Sequence, residues 1–198
     1  YGIIMIVISL MESFFVIDYF ARKVDEILLP MAESKTRKVI TMIINAACDE
    51  EEISDNLYVI NKDSNDEIKM ITYNSFEVTK LINHVTSNVE SKIRQIETGE
   101  INYYGDNDEL GGIIAEIPIG VIFGNTMLSN IGPKIPVKLN LIGSITSNIK
   151  TKTTNYGINN ALIEVYVNLK VKLEVILPFT KEKSTVKSSV PLALKLVQ

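Results

Sequence analysis

The chain is poor in the residues that form covalent or metal cross-links. It holds one cysteine and one histidine in 198 residues, and it has no tryptophan. A single cysteine excludes an internal disulfide framework, and one cysteine with one histidine excludes a structural zinc site. A chain of this length can bury a core without such cross-links. The sequence therefore predicts one domain of ordinary size, alone or with an anchor, held together by apolar packing.

An excess of positive charge is missing as well. The net charge of −4 argues against a protein that binds nucleic acid through phosphate electrostatics. The charge is also unevenly distributed. Residues 1–110 hold 20 Asp/Glu and 10 Lys/Arg, a net of −10, whereas residues 111–198 hold 4 and 10, a net of +6. This asymmetry indicates either an interaction surface or long strands with lysine on their solvent face, and we favour the second interpretation.

Motifs of the common catalytic and cofactor sites are absent too. The sequence contains no glycine-rich phosphate loop, no His-Glu-x-x-His helix and no nucleophile elbow. Cys48 follows a stripe of apolar helical positions, which predicts a buried, inert thiol. His84 lies on the flank of a second stripe, which predicts a residue at the surface or the core edge. We therefore predict no catalytic residue, no cofactor, no metal site and no enzymatic activity, with an envelope hydrolase as an alternative.

What the chain does have is an apolar start. Residues 1–11 carry no charge, Glu12 interrupts, and residues 14–17 are again apolar. A spanning helix needs about 20 apolar residues, and an acidic residue at the bilayer centre costs about 2.5–3.5 kcal/mol. We interpret residues 1–20 as the remnant of an N-terminal transmembrane anchor whose earlier residues precede Tyr1. Residues 21–198 would then form a single domain. The alternative is a buried amphipathic helix.

The helix-rich, acidic part of that domain is expected over residues 21–110. Apolar residues at helical spacing predict a helix that ends near Cys48, and a second stripe predicts a helix from Asn74 or Ser75 to Gly99. Two short alternating segments between them, joined by a run of turn residues at 62–66, predict a β-hairpin. After the polar loop 102–112, alternation from Ile113 to Val121 predicts a strand that Pro118 confines to a sheet edge or a bulge.

The β-rich, basic part is expected over residues 111–198. Nine consecutive odd positions from Ala161 to Leu177 are apolar, and the alternation changes phase after Pro178. Turns near 155–157 and 181–184 predict a long-stranded antiparallel β-meander with one buried face. The predicted fold class is therefore α+β: a truncated anchor helix, a helix–strand–strand–helix–strand region, then the meander.

The loop between the first edge strand and the meander, residues 120–134, is the predicted contact surface. Loops carry binding residues more often than cores do. Its apolar residues are predicted to contact a partner or lipid, although they could also lie under the sheet. They are Ile122, Phe123, Met127 and Leu128.

Short motifs stand in a fixed order along the chain: Ile117-Pro118-Ile119-Gly120, Gly132-Pro133-Lys134-Ile135-Pro136-Val137, Gly157-Ile158-Asn159 and Ile176-Leu177-Pro178-Phe179. Together they resemble the sporulation protein YunB family of spore-forming Firmicutes. The resemblance covers about residues 15–196. Its structural positions are Pro118, Gly120, Gly132, Pro133, Pro136, Gly157, Asn159 and Pro178. The family's Gly-Ile-Asn turn usually continues with Gln, Thr and then His. This chain has Asn160, Ala161 and Ile163 there, so we expect no chemistry that depends on that histidine.

The resemblance implies a single-pass membrane protein made in the mother cell and required for spore formation. Its bulk would lie outside the cytoplasm and face the forespore. Because the resemblance carries no catalytic residues, we expect a non-catalytic role in spore envelope assembly. Its partners would be the membrane, further copies of the chain or other sporulation envelope proteins. The alternative is a domain that binds lipid or an envelope precursor in an apolar groove between the long strands and a helix.

Overall fold

A computed structural model describes residues 2–50, 57–62, 64, 68–101, 112–155 and 161–197. The helices are α1 (Gly2–Lys23), α2 (Leu29–Asp49) and α3 (Ser75–Thr98), with a π-helical turn at Val24–Leu28 and a 3₁₀ turn at Ile119–Phe123. The strands are β1 (Tyr58–Lys62), β2 (Ile68–Tyr73), β3 (Ile113–Pro118), β4 (Lys134–Leu141), β5 (Thr146–Asn155), β6 (Ala161–Leu177) and β7 (Thr180–Val197). This order confirms the predicted α+β fold class.

The helix α1 and the helix α2 form one continuous helical rod. The π-helical turn joins them, and Pro30 follows it in the first turn of α2. Proline lacks the N–H that would bond to the preceding turn, so a locally widened helix before it is expected. No residue of α1 is buried, whereas α2 places one face in the core. The rod is therefore apolar and unpacked at its start and an integral part of the domain at its end.

The helix α3 has the ends that its sequence predicts. The Asn74 side chain accepts a hydrogen bond from the Phe76 N–H at 3.2 Å, which satisfies one of the free donors of the first turn. Gly99 closes the helix in the left-handed conformation, with φ 80°. The predicted stripe is buried at Leu81, Val85, Val89, Ile93 and Ile96.

Two sheets are present among the described strands. The strands β1 and β2 form the predicted antiparallel hairpin. In the second sheet β6 is central: it pairs with β7 along one edge and with β4 and β5 along the other, and β3 pairs with β4. All pairs are antiparallel. Pro118 ends β3, which is an edge strand with a register shift, in agreement with its expected position.

The strands β4 and β5 act as a single long strand. Leu141 of β4 is opposite Leu173, and Thr146 of β5 is opposite Lys170, so the four residues between them replace two in regular register. The Ile142 N–H still donates to the Lys172 carbonyl at 2.9 Å. The interruption is therefore a bulge, and β4–β5, β6 and β7 form three long neighbouring strands.

The core lies between this sheet and the helices α2 and α3. The odd positions of β6 from Val165 to Leu177 are buried, and β4 alternates in the same way. The predicted turn at 181–184 is wrong: β6 and β7 are joined by two residues, Pro178 and Phe179, because Leu177 pairs with Thr180. The polar residues after Thr180 belong to β7, where they alternate with buried ones. The predicted turn at 155–157 falls partly outside the described residues.

Candidate functional site

The loop of residues 119–133 is a closed, rigid structure. Two backbone hydrogen bonds of 3.0 Å join its arms, from Ile119 N to the Pro133 carbonyl and from Gly120 N to the Ile131 carbonyl. Further inside, Met127 N donates to the Asn125 side-chain oxygen at 2.9 Å. Gly120 is buried, and any side chain there would overlap the backbone of residues 128 and 131. The loop therefore has a fixed shape.

Large apolar side chains on this loop and on the β6–β7 turn face solvent. We call this set the apolar rim: Phe123, Met127, Leu128, Ile131 and Phe179. Met127 is 87% exposed, and Phe123 and Phe179 are each 54% exposed. Residues 119–133 include no Asp, Glu, Lys or Arg. Several large exposed apolar side chains on a segment without charge are typical of a contact site for a partner or a membrane.

A pocket lies where α1 meets the domain. We call it the junction pocket, and its volume is about 420 Å³. One wall comes from the helical rod and the other from the 3₁₀ turn and the start of β7. Its lining residues are Ile17, Phe20, Ala21, Val24, Asp25, Leu28, Ile119, Ile122, Phe179 and Thr180. Asp25 is the one ionisable side chain in this lining, so the pocket suits an apolar occupant.

The polarity of α1 changes at the level of this pocket. Arg22 and Asp18 form an ion pair of 2.7 Å, and Lys23 pairs with Glu26 at 2.8 Å. Directly after Asp18, the rings of Tyr19 and Phe20 meet edge to face with centroids 6.3 Å apart. Aromatic residues followed by basic residues are typical of a membrane–water interface. Ile17 and Phe20 belong both to this zone and to the junction pocket.

The structure places the predicted contact residues in two groups. Phe123, Met127 and Leu128 are exposed, as expected. Ile122 is 2% exposed and belongs to the core, so its expected exposure is wrong. The reason is that the 3₁₀ turn points Ile122 inwards, toward the buried Leu28 at the junction pocket. The sequence analysis did not identify Ile131 and Phe179. The pair Pro178-Phe179 is a sequence signal for a phenylalanine in a turn, and it could have identified Phe179.

The predicted structural motif residues lie mainly around this loop. Gly120 is buried, Pro118 and Pro136 are half-buried in the paired strands, and Gly132 and Pro133 lie exposed at the end of the loop. Gly132 has φ 94°, a left-handed conformation that favours glycine. Pro178 is exposed in the β6–β7 turn. Gly157 and Asn159 lie outside the described residues.

The residues weighed for chemistry are spread over the helices. Cys48 is buried on α2, and His84 is exposed on α3. A hydrogen bond from Lys92 holds the pKa of the Glu50 carboxyl below its usual value, and a hydrogen bond to Glu164 raises the pKa of Tyr166. In the part of the chain that the structure describes, no three His, Cys, Asp or Glu side chains are grouped as a metal site.

The helix Gly2–Asp49 contains a stretch long and apolar enough to cross a membrane, and that stretch has no buried residue in the structure. The molecule thus has the layout of an α+β domain that follows an apolar N-terminal helix. Two comparisons then give the family. The family model described as sporulation protein YunB matches residues 114–198. Sporulation protein YunB of Bacillus subtilis (strain 168) is 33% identical over 177 residues, which is 87% of this chain and 68% of that protein.

The chain belongs to the sporulation protein YunB family. Family membership supports a role in sporulation. No solved structure matches the chain.

Proposed function

We propose that this protein is a non-catalytic, membrane-anchored component of spore envelope assembly, with its domain outside the mother-cell cytoplasm and facing the forespore. The observation that carries the proposal is the helical rod. Its first turns are apolar and unpacked, and its later turns form part of the domain core. A rod of this kind holds a domain at a fixed place against a bilayer, which is a positioning role rather than a chemical one.

Membrane extraction of the full-length protein tests the anchor. We expect the protein to sediment with membranes and to resist alkaline carbonate, because α1 exposes many large apolar side chains between Ile3 and Ile17 and buries none of them. A variant with Ile6→Lys and Phe14→Lys should move to the soluble fraction, since each charge in the membrane core is unfavourable. The matched control carries Lys at two exposed domain positions, Phe76 and Thr79. A wild-type protein that is fully soluble would contradict the anchor.

Self-association is the second part of the proposal. The polar outer face of the long strands offers area for a second copy or for another envelope protein. Size measurement of the full-length protein in detergent at increasing concentration tests for the second copy. We expect an oligomer that dissociates on dilution. A strictly monomeric species at the highest concentration would leave other envelope proteins as the partners to be tested by cross-linking in sporulating cells.

A second candidate function is the binding of lipid or an apolar envelope precursor. The junction pocket favours it, because its volume of about 420 Å³ lies within the range of small-ligand sites and its lining is mainly apolar. The buried face of the long strands is covered by α2 and α3, so the groove expected there is replaced by this pocket. Native mass spectrometry after gentle extraction should find bound lipid in the wild type and less in Ala21→Leu, which narrows the pocket. Equal lipid in both would contradict this function.

A further inference from the structure

We propose that the apolar rim is a second membrane contact, which dips into the same leaflet interface as the end of α1 and holds the domain in one orientation on the bilayer. The proposal rests on the membrane anchor of the proposed function. It adds that a loop and a hairpin tip, far from α1 in sequence, also bind lipid. The chemistry of the occupant is a lipid surface with apolar chains below polar headgroups.

Continuity with the anchor is the first argument. Ile17 and Phe20 of α1 line the junction pocket together with Ile119 and Phe179. The rim therefore begins at the level where α1 changes from apolar residues to the Asp18–Arg22 pair. When α1 lies in a bilayer, Phe179 and the 3₁₀ turn stand at the headgroup boundary without any change in the fold.

The pattern of charge around the rim is the second argument. Residues 119–133 carry no charge, and the nearest ionisable groups on either side are Glu116 and Lys134, which pair at 3.1 Å. Lys134 and Lys181 expose 60% and 68% of their side chains beside the rim. Arg22 and Lys23 at the end of α1 are likewise paired, with Asp18 and Glu26, so ion pairs border an uncharged apolar surface. An uncharged apolar surface with polar and charged groups at its border is typical of segments that insert into a membrane interface.

The rigidity of the loop is the third argument. Its arms are joined by backbone hydrogen bonds, and Gly120 brings them to close approach. The exposed side chains are therefore held in place before any contact forms, which lowers the entropy lost on binding. A protein partner would have to reach this surface within the headgroup layer beside α1, so lipid is the occupant that the placement favours.

Residues 1–198 contain no tryptophan, which makes a depth measurement possible. A single Phe→Trp substitution introduces one there, and its depth can be read from quenching by bromine on lipid acyl chains, measured against the unsubstituted protein. We choose Phe123 and Phe179 in the rim, Phe14 in α1 and Phe76 at the start of α3, all exposed. Each variant is reconstituted in vesicles of phosphatidylcholine and phosphatidylglycerol, with and without brominated chains.

Phe76→Trp is the matched control because it lies at the other end of the sheet. The backbone N–H of Leu141 and the Glu97 carboxylate are 3.4 Å apart, and the Thr86 and Ser147 hydroxyls are 2.7 Å apart. The helix α3 therefore runs alongside β4 and β5, and its first residues extend along β5 away from Lys134 and the rim. We expect quenching at Phe14, Phe123 and Phe179 at least twofold greater than at Phe76, with emission shifted to shorter wavelength.

Three results would overturn the proposal in different ways. Quenching at Phe14 with none at Phe123 and Phe179 would leave the anchor intact and remove the second contact. No quenching at any position would remove the anchor and with it the proposed function. A blue shift at Phe123 that is insensitive to bromine would assign the rim to a protein partner or a second copy. Met127→Trp repeats the rim measurement if either phenylalanine variant fails to fold.

Discussion

Gly120 stands against the backbone of Leu128 so closely that a β-carbon on Gly120 would overlap the Leu128 carbonyl oxygen and lie 2.6 Å from that of Ile131. We therefore expect Gly120→Ala to open the loop and to destabilise the domain by about 3 kcal/mol, the upper part of the range for overpacking, because rigid backbone is the obstacle. Thermal unfolding of the full-length protein in detergent measures the change. Amide exchange should also show lost protection at residue 120.

Gly124→Ala is the control for this prediction. Gly124 lies in the same loop with φ 64°, and nothing lies near its would-be β-carbon. Its cost is the backbone strain alone, about 1 kcal/mol. If the two substitutions lower the unfolding temperature equally, close approach at Gly120 does not determine the shape of the loop.

The buried stripe of α3 should carry much of the domain's stability. Ile93 is completely buried in the cluster shared by the helices and the sheet. Ile93→Ala removes apolar contact and leaves a cavity, so we expect a loss of about 2–5 kcal/mol. Phe76→Ala, on the exposed side of the same helix, should change stability by less than about 0.5 kcal/mol. Equal losses in the two variants would show that α3 is not packed as described.

The pair between Glu50 and Lys92 should make stability depend on pH. Lys92 Nζ lies 2.6 Å from the Glu50 carboxylate and joins the end of α2 to α3. The hydrogen bond lowers the pKa of Glu50 from its ordinary 4.5. The pair therefore stabilises the folded state fully above pH 4.5, and this stabilisation is lost as the pH falls through the lowered pKa. The unfolding temperature of the wild type should therefore exceed that of Glu50→Gln at neutral pH, and the difference should vanish in acid.

The size of this effect should be small, because both side chains are partly exposed and salt screens the pair. The double variant Glu50→Gln, Lys92→Gln should be no less stable than either single one. An additive loss in the double variant would mean that the two residues act independently.

Neither Cys48 nor His84 should be required for activity. Cys48 is buried and His84 is exposed, and the proposed function gives neither side chain a catalytic role. Strains that carry Cys48→Ala or His84→Ala should sporulate at the wild-type frequency. Counts of heat-resistant spores measure this frequency. A loss of tenfold or more for either variant, at unchanged protein level, would revive the hydrolase alternative.

A charged rim should impair sporulation through loss of the membrane contact. Phe123→Glu with Met127→Glu places two acids on the exposed surface, where the free protein tolerates them but an anionic leaflet repels them. We expect fewer spores at normal protein level and normal unfolding temperature. Phe76→Glu with Thr79→Glu, on the exposed start of α3, should have no effect. The same sporulation defect in both variants would show that added negative charge is harmful at either position, and it would contradict a specific role of the rim.

Local signals were sufficient for the helices and for the central strand β6. The cap residue Asn74 and the terminal Gly99 lie within the segment that they delimit, so the bounds of α3 could be predicted closely. The alternation in β6 similarly depends on one buried face. Both features need no knowledge of distant residues.

Features that depend on distant residues were not predicted. The bulge that divides β4 from β5 opposite β6 is a matter of register between strands, which the four intervening residues do not reveal. Ile122 and Phe123 are neighbours with the same apolar character, and the partner across the junction pocket decides which one is buried. The pocket itself combines α1 with segments about 100 and 160 residues later, so no local pattern indicates it.

The length of β6 determines how far the sheet extends along its strands. Its 17 residues extend about 55 Å at the usual rise per residue, and β7 follows it over the whole length. One end of this hairpin lies at Phe179 beside α1, and the other lies that far along the sheet. The two ends of the hairpin are therefore separate surfaces, and a contact at Phe179 leaves the distal end of the sheet free for another.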